Sequence, residues 1–212
     1  MSLATQLSKE YSSLKKELGS FKTPTSVRTA TPPVIGSQAP SSAKLQLPAA
    51  DGKPTIITFL RHCGCPFSEK NFLDLRKVAG QHPEAHFIAV SHSDQESTDK
   101  WVSAVGGEWA TSVIVDHERE LYGAWGLGIC STWHLMNPWS MYSLYQLGKQ
   151  ENIWNRPTES GSRWQTSGSF AVDGNGVVRW AEVAQSGDHM PDFAELLRAV
   201  VVEADVKRTP KL

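Results

Sequence analysis

One junction constrains this chain more than any other feature. Thr55-Ile56-Ile57-Thr58-Phe59-Leu60 is a nearly unbroken β-branched and apolar run, which reads as a strand buried on both faces of its sheet. It passes directly into Arg61-His62-Cys63-Gly64-Cys65-Pro66. Proline suits the first turn of a helix, so Cys65 stands at a helix N-terminus. There the unpaired N–H groups and the positive end of the helix dipole favour a thiolate. A strand buried on both sides needs a layer on each, so the junction points to an α/β domain.

The remaining sequence supplies those layers. Residues 85–91 and 111–115 are two further strands. Phe72, Leu75 and Val78 mark a helix over 69–78 that Gly80 stops. Ser93 and Asp94 cap another, through Val105, that Gly106-Gly107 ends. A short helix over 118–125 stops at Gly126. Asp173-Gly174-Asn175-Gly176, between 170–172 and 177–180, is a hairpin turn and forces antiparallel pairing at one side. Phe193, Leu196, Leu197 and Val200 place a last helix over 192–203. The expectation is a central mixed sheet flanked by helices over 45–205, with a tail at 206–212.

Two segments stand outside that repeat. Leu3, Leu7, Tyr11, Leu14 and Leu18 share one helical face, so 1–21 reads as an amphipathic helix. Its stripe docks on its own domain or pairs with a second copy in a homodimer. Residues 22–44, with Pro24, Pro32, Pro33 and Pro40, form a linker and entry segment. The stretch 129–167 is too long for a bare loop and reads as an insertion whose helix opens at Asn137-Pro138 and runs to Gln150.

Lys+Arg is 21 against Asp+Glu 22, a net charge of −1, so no basic surplus exists to hold nucleic acid. No apolar run approaches the roughly 20 residues of a membrane span. The first 30 residues lack the apolar core of a secretory signal. The 3 cysteines are an odd count, which speaks against a disulfide framework and for the cytoplasm.

Cys65 is the candidate nucleophile. Ser68, one turn on, either donates to its sulfur or caps the helix. Arg61 and His62 are candidate sources of positive charge, although strand alternation sends them to opposite faces. Cys63 and Cys130 are candidate resolving thiols, or a strand-end filler and a bystander. A metal reading of His62, Cys63 and Cys65 fails on spacing, and neither metal nor organic cofactor is expected. All 8 tryptophans fall between Trp101 and Trp180, several in the insertion. Trp133, His134 and Trp139 either border a pocket for a bulky, partly apolar ligand or make the insertion's own core. Phe67, Gly168 and Ser169 complete the substrate-binding candidates.

Several motifs together resemble a known family: Ile35-Gly36-Ser37-Gln38-Ala39-Pro40, Asp51-Gly52-Lys53-Pro54, Phe59 to Cys65, Val115-Asp116 with Leu121-Tyr122-Gly123-Ala124-Trp125-Gly126-Leu127, and Gly168 to Asp173 followed by Gly176. Over residues 34–204 the chain resembles the divergent peroxiredoxin-like branch of the alkyl hydroperoxide reductase/thiol-specific antioxidant superfamily. The resemblance implies a thioredoxin-like fold and a thiol-dependent oxidoreductase whose Cys65 thiolate attacks a peroxide or a disulfide, with a thiol as reductant. It departs from the family pattern at three points. His62 replaces the usual Thr or Ser three residues before the cysteine, Ser68 stands where a second cysteine is frequent, and no proline precedes Gly168. Two other readings stand beside it: a small-molecule binding protein that has lost redox activity, and a tailoring enzyme using Cys65 or His134.

Overall fold

β1 (Thr55–Phe59) is the middle strand of a five-stranded sheet ordered β3-β2-β1-β4-β5 in the computed structural model, which describes residues 11, 15, 17–158 and 160–208. β2 (His86–Ser91) and β3 (Ser112–Val115) extend it in parallel, while β4 (Gly168–Val172) and β5 (Val178–Val183) pair antiparallel on the other side. The helices are α1 (Pro66–Ala79), α2 (Gln95–Ala104), α3 (Glu120–Ala124), α4 (Thr132–Met136), α5 (Pro138–Glu151) and α6 (Phe193–Arg208).

Every residue of β1 is buried, and alternation divides them between two cores. Ile56 and Leu60 pack with Phe72 and Leu75 of α1, Trp101 and Val102 of α2, and Leu196 and Val200 of α6. Ile57 and Phe59 face Leu121, Tyr122, Trp125 and Phe170. In that second core the Trp125 and Phe170 ring centroids lie 4.7 Å apart, and Phe59 meets Tyr122 edge-on at 5.1 Å. The Tyr122 hydroxyl sits 2.6 Å from the Leu60 carbonyl and 2.8 Å from that of Val90. It thus ties together the ends of β1 and β2, where the cysteine turn begins. The buried Asp116 carboxylate accepts from the backbone N–H groups of Leu121 and Tyr122 at 2.7 and 3.2 Å. That fixes α3, and with it Tyr122, by satisfying donors that a helix start leaves open.

The entry segment has a structural task. Gly36 N–H donates to Val178 O at 2.8 Å, Val178 N–H to Ser37 O at 2.9 Å, and Ala39 N–H to Gly176 O at 2.8 Å. These bonds cover the start of β5 at Val178, where the outer strand would otherwise present unpaired backbone groups.

Three expectations need correction. The insertion holds two helices rather than one, because Asn137 ends α4 and also caps α5, its side chain accepting from Ser140 N–H at 2.9 Å. The last helix runs to Arg208, so no tail begins at 206, and 209–212 lie outside the described residues. At the N-terminus, Leu3, Leu7 and Leu14 lie outside the described residues, whereas Tyr11 and Leu18 are 72% and 62% exposed. Apolar docking is therefore not made at those two positions. Polar contacts hold the segment instead: Arg163 pairs with Glu17 and donates from Nε to Ser20 Oγ at 2.9 Å.

Phe170→Ala removes the ring that joins β4 to the second core, leaving a cavity among Phe59 and Trp125. Urea unfolding should show a loss of about 3–5 kcal/mol with an unchanged m value.

Candidate active site

The cysteine turn is shaped by a glycine. Gly64 adopts φ +101°, and a Cβ there would lie 2.9 Å from Arg156 O and 3.0 Å from Pro157 O. Residues 156–157 thus form a strap lying on the turn, with Arg156 N–H donating to Gly64 O at 3.0 Å. Cys65 N–H donates to His62 O at 3.3 Å, closing the turn, and Cys65 O accepts the first helical bond from Glu69 N–H at 3.0 Å. Cys65 is the N-cap of α1, as expected, and its side chain caps no helix N–H. Its side chain is 2% exposed.

The strap is latched by charge. Arg156 donates from Nε and Nη2 to the Glu69 carboxylate at 2.7 and 2.8 Å. Further along, His92 Nε2 lies 2.9 Å from Ser162 N and 3.2 Å from Ser162 O. Arg163 O accepts from Arg61 Nη2 at 3.4 Å.

Of the candidate residues, Arg61, His62 and Ser68 meet at this turn in roles that differ from the expected ones. Ser68 Oγ accepts from Arg61 N–H at 3.1 Å. It therefore splices the strand end to the helix. His62 is fully buried, and burial, reinforced by the Arg61 charge, holds it well below its ordinary value. It is neutral near pH 7, so Arg61 alone of the two supplies positive charge. His92 is pushed down to about 3, chiefly by burial and then by Arg119.

Cys63 sits among hydroxyls. Its sulfur is 3.4 Å from Ser91 Oγ and 3.8 Å from Thr98 Oγ1, and burial raises its pKa, which keeps it a thiol. It also lines a cleft of about 280 Å³ with Gly64, Ser97, Trp101, Arg156 and Pro157. Cys130 is half-buried on the opposite flank, its N–H donating to Trp164 O at 2.7 Å. Burial pushes this thiol up while Arg61 pulls it down.

The expected substrate-binding set does not assemble. Trp133 and Trp139 are 72% and 78% exposed, and neither lines the cleft beside Cys63. Gly168 and Ser169 are buried in β4 opposite Phe59 and Thr58, with Ser169 Oγ 2.9 Å from Thr58 Oγ1; sheet pairing leaves them no face for a ligand. Phe67 lines a separate groove with Lys70, Tyr142, Leu147 and Asp188. His134 is half-buried near Arg61 and Asp188. Sequence reasoning missed Glu69, His92, Arg156 and Arg163. Nothing local marks them, because each finds its partner from a distant segment. Among the described residues, no group of three His, Cys, Asp or Glu side chains is placed to hold a metal ion, and no helix is long and apolar enough to cross a membrane.

Residues 74–186 match the family described as AhpC/TSA antioxidant enzyme. Among solved structures, the chain is similar to a peroxiredoxin-like protein from Aquifex aeolicus (13% identity, TM-score 0.53, 82% of this chain and 96% of that one). It is similar also to a cysteine-to-serine mutant of peroxiredoxin 6 of Arenicola marina (12%, 0.56, 83% and 76%) and to a thiol peroxidase from Chromobacterium violaceum (14%, 0.51, 85% and 91%). These likenesses show a thioredoxin-like fold. No curated protein matches the chain.

Two outcomes test this geometry. Gly64→Ala places a methyl group against the strap and forces a left-handed residue. It should lower stability by about 1–3 kcal/mol and raise amide exchange over residues 153–163. The buried neutral histidines set a pH dependence. Below pH ~6.5 the unfolded chain binds protons at His62 and His92 while the folded chain does not. Stability should fall as pH drops from 6.5 toward 4.5, by up to about 1.4 kcal/mol per unit for each histidine. Urea titrations of His92→Gln should give a shallower slope over that window; an equal slope would remove His92 from the account.

Proposed function

Because the chain belongs to the AhpC/TSA antioxidant enzyme family, we propose that it is a thiol-dependent oxidoreductase whose Cys65 thiolate attacks a peroxide or a disulfide. One observation carries this reading: Cys65 is the N-cap residue of α1, at the end of the central buried strand, with no helix N–H engaged by its side chain. The residue thus stands at the positive end of a helix dipole. With a hydroperoxide, the thiolate attacks the distal oxygen, which stays bonded to sulfur, and displaces alkoxide or hydroxide. The O–O bond breaks, an alcohol or water leaves after taking a proton, and Cys65 becomes a sulfenic acid. A thiol then attacks that sulfur, releasing water and forming a disulfide, and a second thiol restores Cys65.

Cys65 is 2% exposed, so a substrate reaches the sulfur only when residues around the turn shift. Cys63 and Cys130 are the resolving candidates. Cys63 remains two residues from Cys65 on one tight turn, where a disulfide ring is strained; Cys130 approaches from a separate segment. A binding role keeps one support, the cleft that opens on Cys63 and Trp101.

Graded peroxide followed by intact-mass analysis, with and without a small thiol, tests the proposal. Oxidation that reverses with thiol should persist in Cys63→Ser and vanish in Cys65→Ser. First modification at Cys63 or Cys130 would sink the assignment. An inert protein would favour the binding role.

A further inference from the structure

Arg61 is a buried cation without an anionic partner among the described residues. It is 8% exposed, and among the described residues it forms no ion pair with a carboxylate. Its guanidinium has only carbonyls for partners: Nη1 donates to Gly187 O at 3.0 Å and Nη2 to Arg163 O at 3.4 Å. Nε is buried with no partner. Such a charge is costly to bury unless something negative meets it.

The same neighbourhood holds a second orphan. His134 Nε2 is also buried without a partner, although the imidazole has a hydrogen bond to the Gln185 backbone. Gly187 joins the two residues, accepting from Arg61 at its carbonyl while its N–H donates to His134 O at 2.7 Å. The adjacent carbonyls of Arg163 and Trp164 join Arg61 to Cys130 in a similar way. Nearby acids are engaged elsewhere. Asp188 accepts from the hydroxyls of Ser140, Ser143 and Ser186, Glu182 pairs with His189, and Glu17 pairs with Arg163. Cys130 and His134 are half-buried, so the part of the cluster nearest solvent is on that side.

We propose that Arg61 and His134 form a carboxylate subsite on the Cys130 flank of the cysteine turn, so that the substrates are small organic molecules bearing a carboxylate. A guanidinium without a carboxylate partner among the described residues, in the neighbourhood of an imidazole nitrogen that is also unpartnered and can take up a proton as an anion binds, suits that group because charge-assisted bonds to it are strong and directional. Arg61 is coupled to the reactive turn through its own N–H on Ser68 Oγ, so an anion seated on its side chain lies alongside the helix that Cys65 caps. The substrate class rests on the oxidoreductase reading; the subsite does not.

Two measurements separate them. The first titrates acetate, with acetamide as the neutral control, while following the Arg61 Nε–H and His134 ring signals by NMR. Acetate should move both signals, acetamide neither, and His134→Ala should weaken the Arg61 response. Equal responses to the two probes, or none, would overturn the subsite whatever the thiols do. The second compares alkylation of Cys65 by iodoacetate and iodoacetamide, which share a leaving group and differ in charge. The iodoacetate-to-iodoacetamide rate ratio should fall about tenfold in Arg61→Gln and in the same direction in His134→Ala, which disturbs the core less. An unchanged ratio in both variants would overturn the assignment of substrate class. A Cys65 inert to both reagents, with the acetate response intact, would refute the oxidoreductase reading and the substrate class while leaving the subsite standing.

Discussion

The peptide of Arg156 rests directly on Gly64, and the reactive turn depends on that contact. A side chain at position 64 would meet two backbone carbonyls within 3.0 Å, so the strap and the turn are packed main chain to main chain. The Glu69–Arg156 pair holds them there, with the carboxylate buried and the guanidinium partly exposed. Loss of either partner is unequal in consequence: without Arg156, a buried carboxylate in the first turn of α1 loses its counterion. From this anchor the strap continues to His92, Arg61 and Glu17. The shape of the turn at Gly64 is thus held by long-range packing, superimposed on a local strand-to-helix junction.

Charge at the turn is simple because most groups that could titrate are silenced. His62 and His92 are neutral through burial, and Cys63 is kept a thiol. Beside the Arg156–Glu69 pair, what remains is Arg61, whose guanidinium does not deprotonate in proteins. A permanent cation therefore contributes to the field at the turn. The stability of the fold, in contrast, responds to acid through the same two histidines, so a pH change alters folding well before it alters that field.

Much of this architecture is written locally. The β-branched run of β1, Pro66 after Cys65, Asp94 as a cap and the Asp-Gly-Asn-Gly hairpin each act over a few residues, and each appears where local chemistry places it. The contacts that make the site are not local. Arg156 and Glu69 are 87 residues apart, and Arg163 reaches Arg61 across 102. No periodicity encodes such pairs. The tryptophans show a different limit: apolar composition around Trp133 and Trp139 signals a large surface without saying which side it faces. Likewise, Gly168 and Ser169 carry a recognisable motif, yet pairing with β1 consumes them.

Family membership and the nucleophile rest on separate grounds. The family match begins at residue 74, after the cysteine turn, and so speaks for the sheet, the insertion and the hairpin. The case for Cys65 is local physics: a buried strand, a helix start and an adjoining fixed charge. Fold alone does not carry activity, and the usual hydroxyl three residues before the cysteine is here a buried, neutral His62. Ser68, the other hydroxyl in reach, accepts a strand N–H. A thiol in such a turn is left with the helix start and the Arg61 guanidinium, whose charge also acts on Cys130. Selectivity at this site is therefore better set by the charge a substrate carries than by polarisation of a bare peroxide bond.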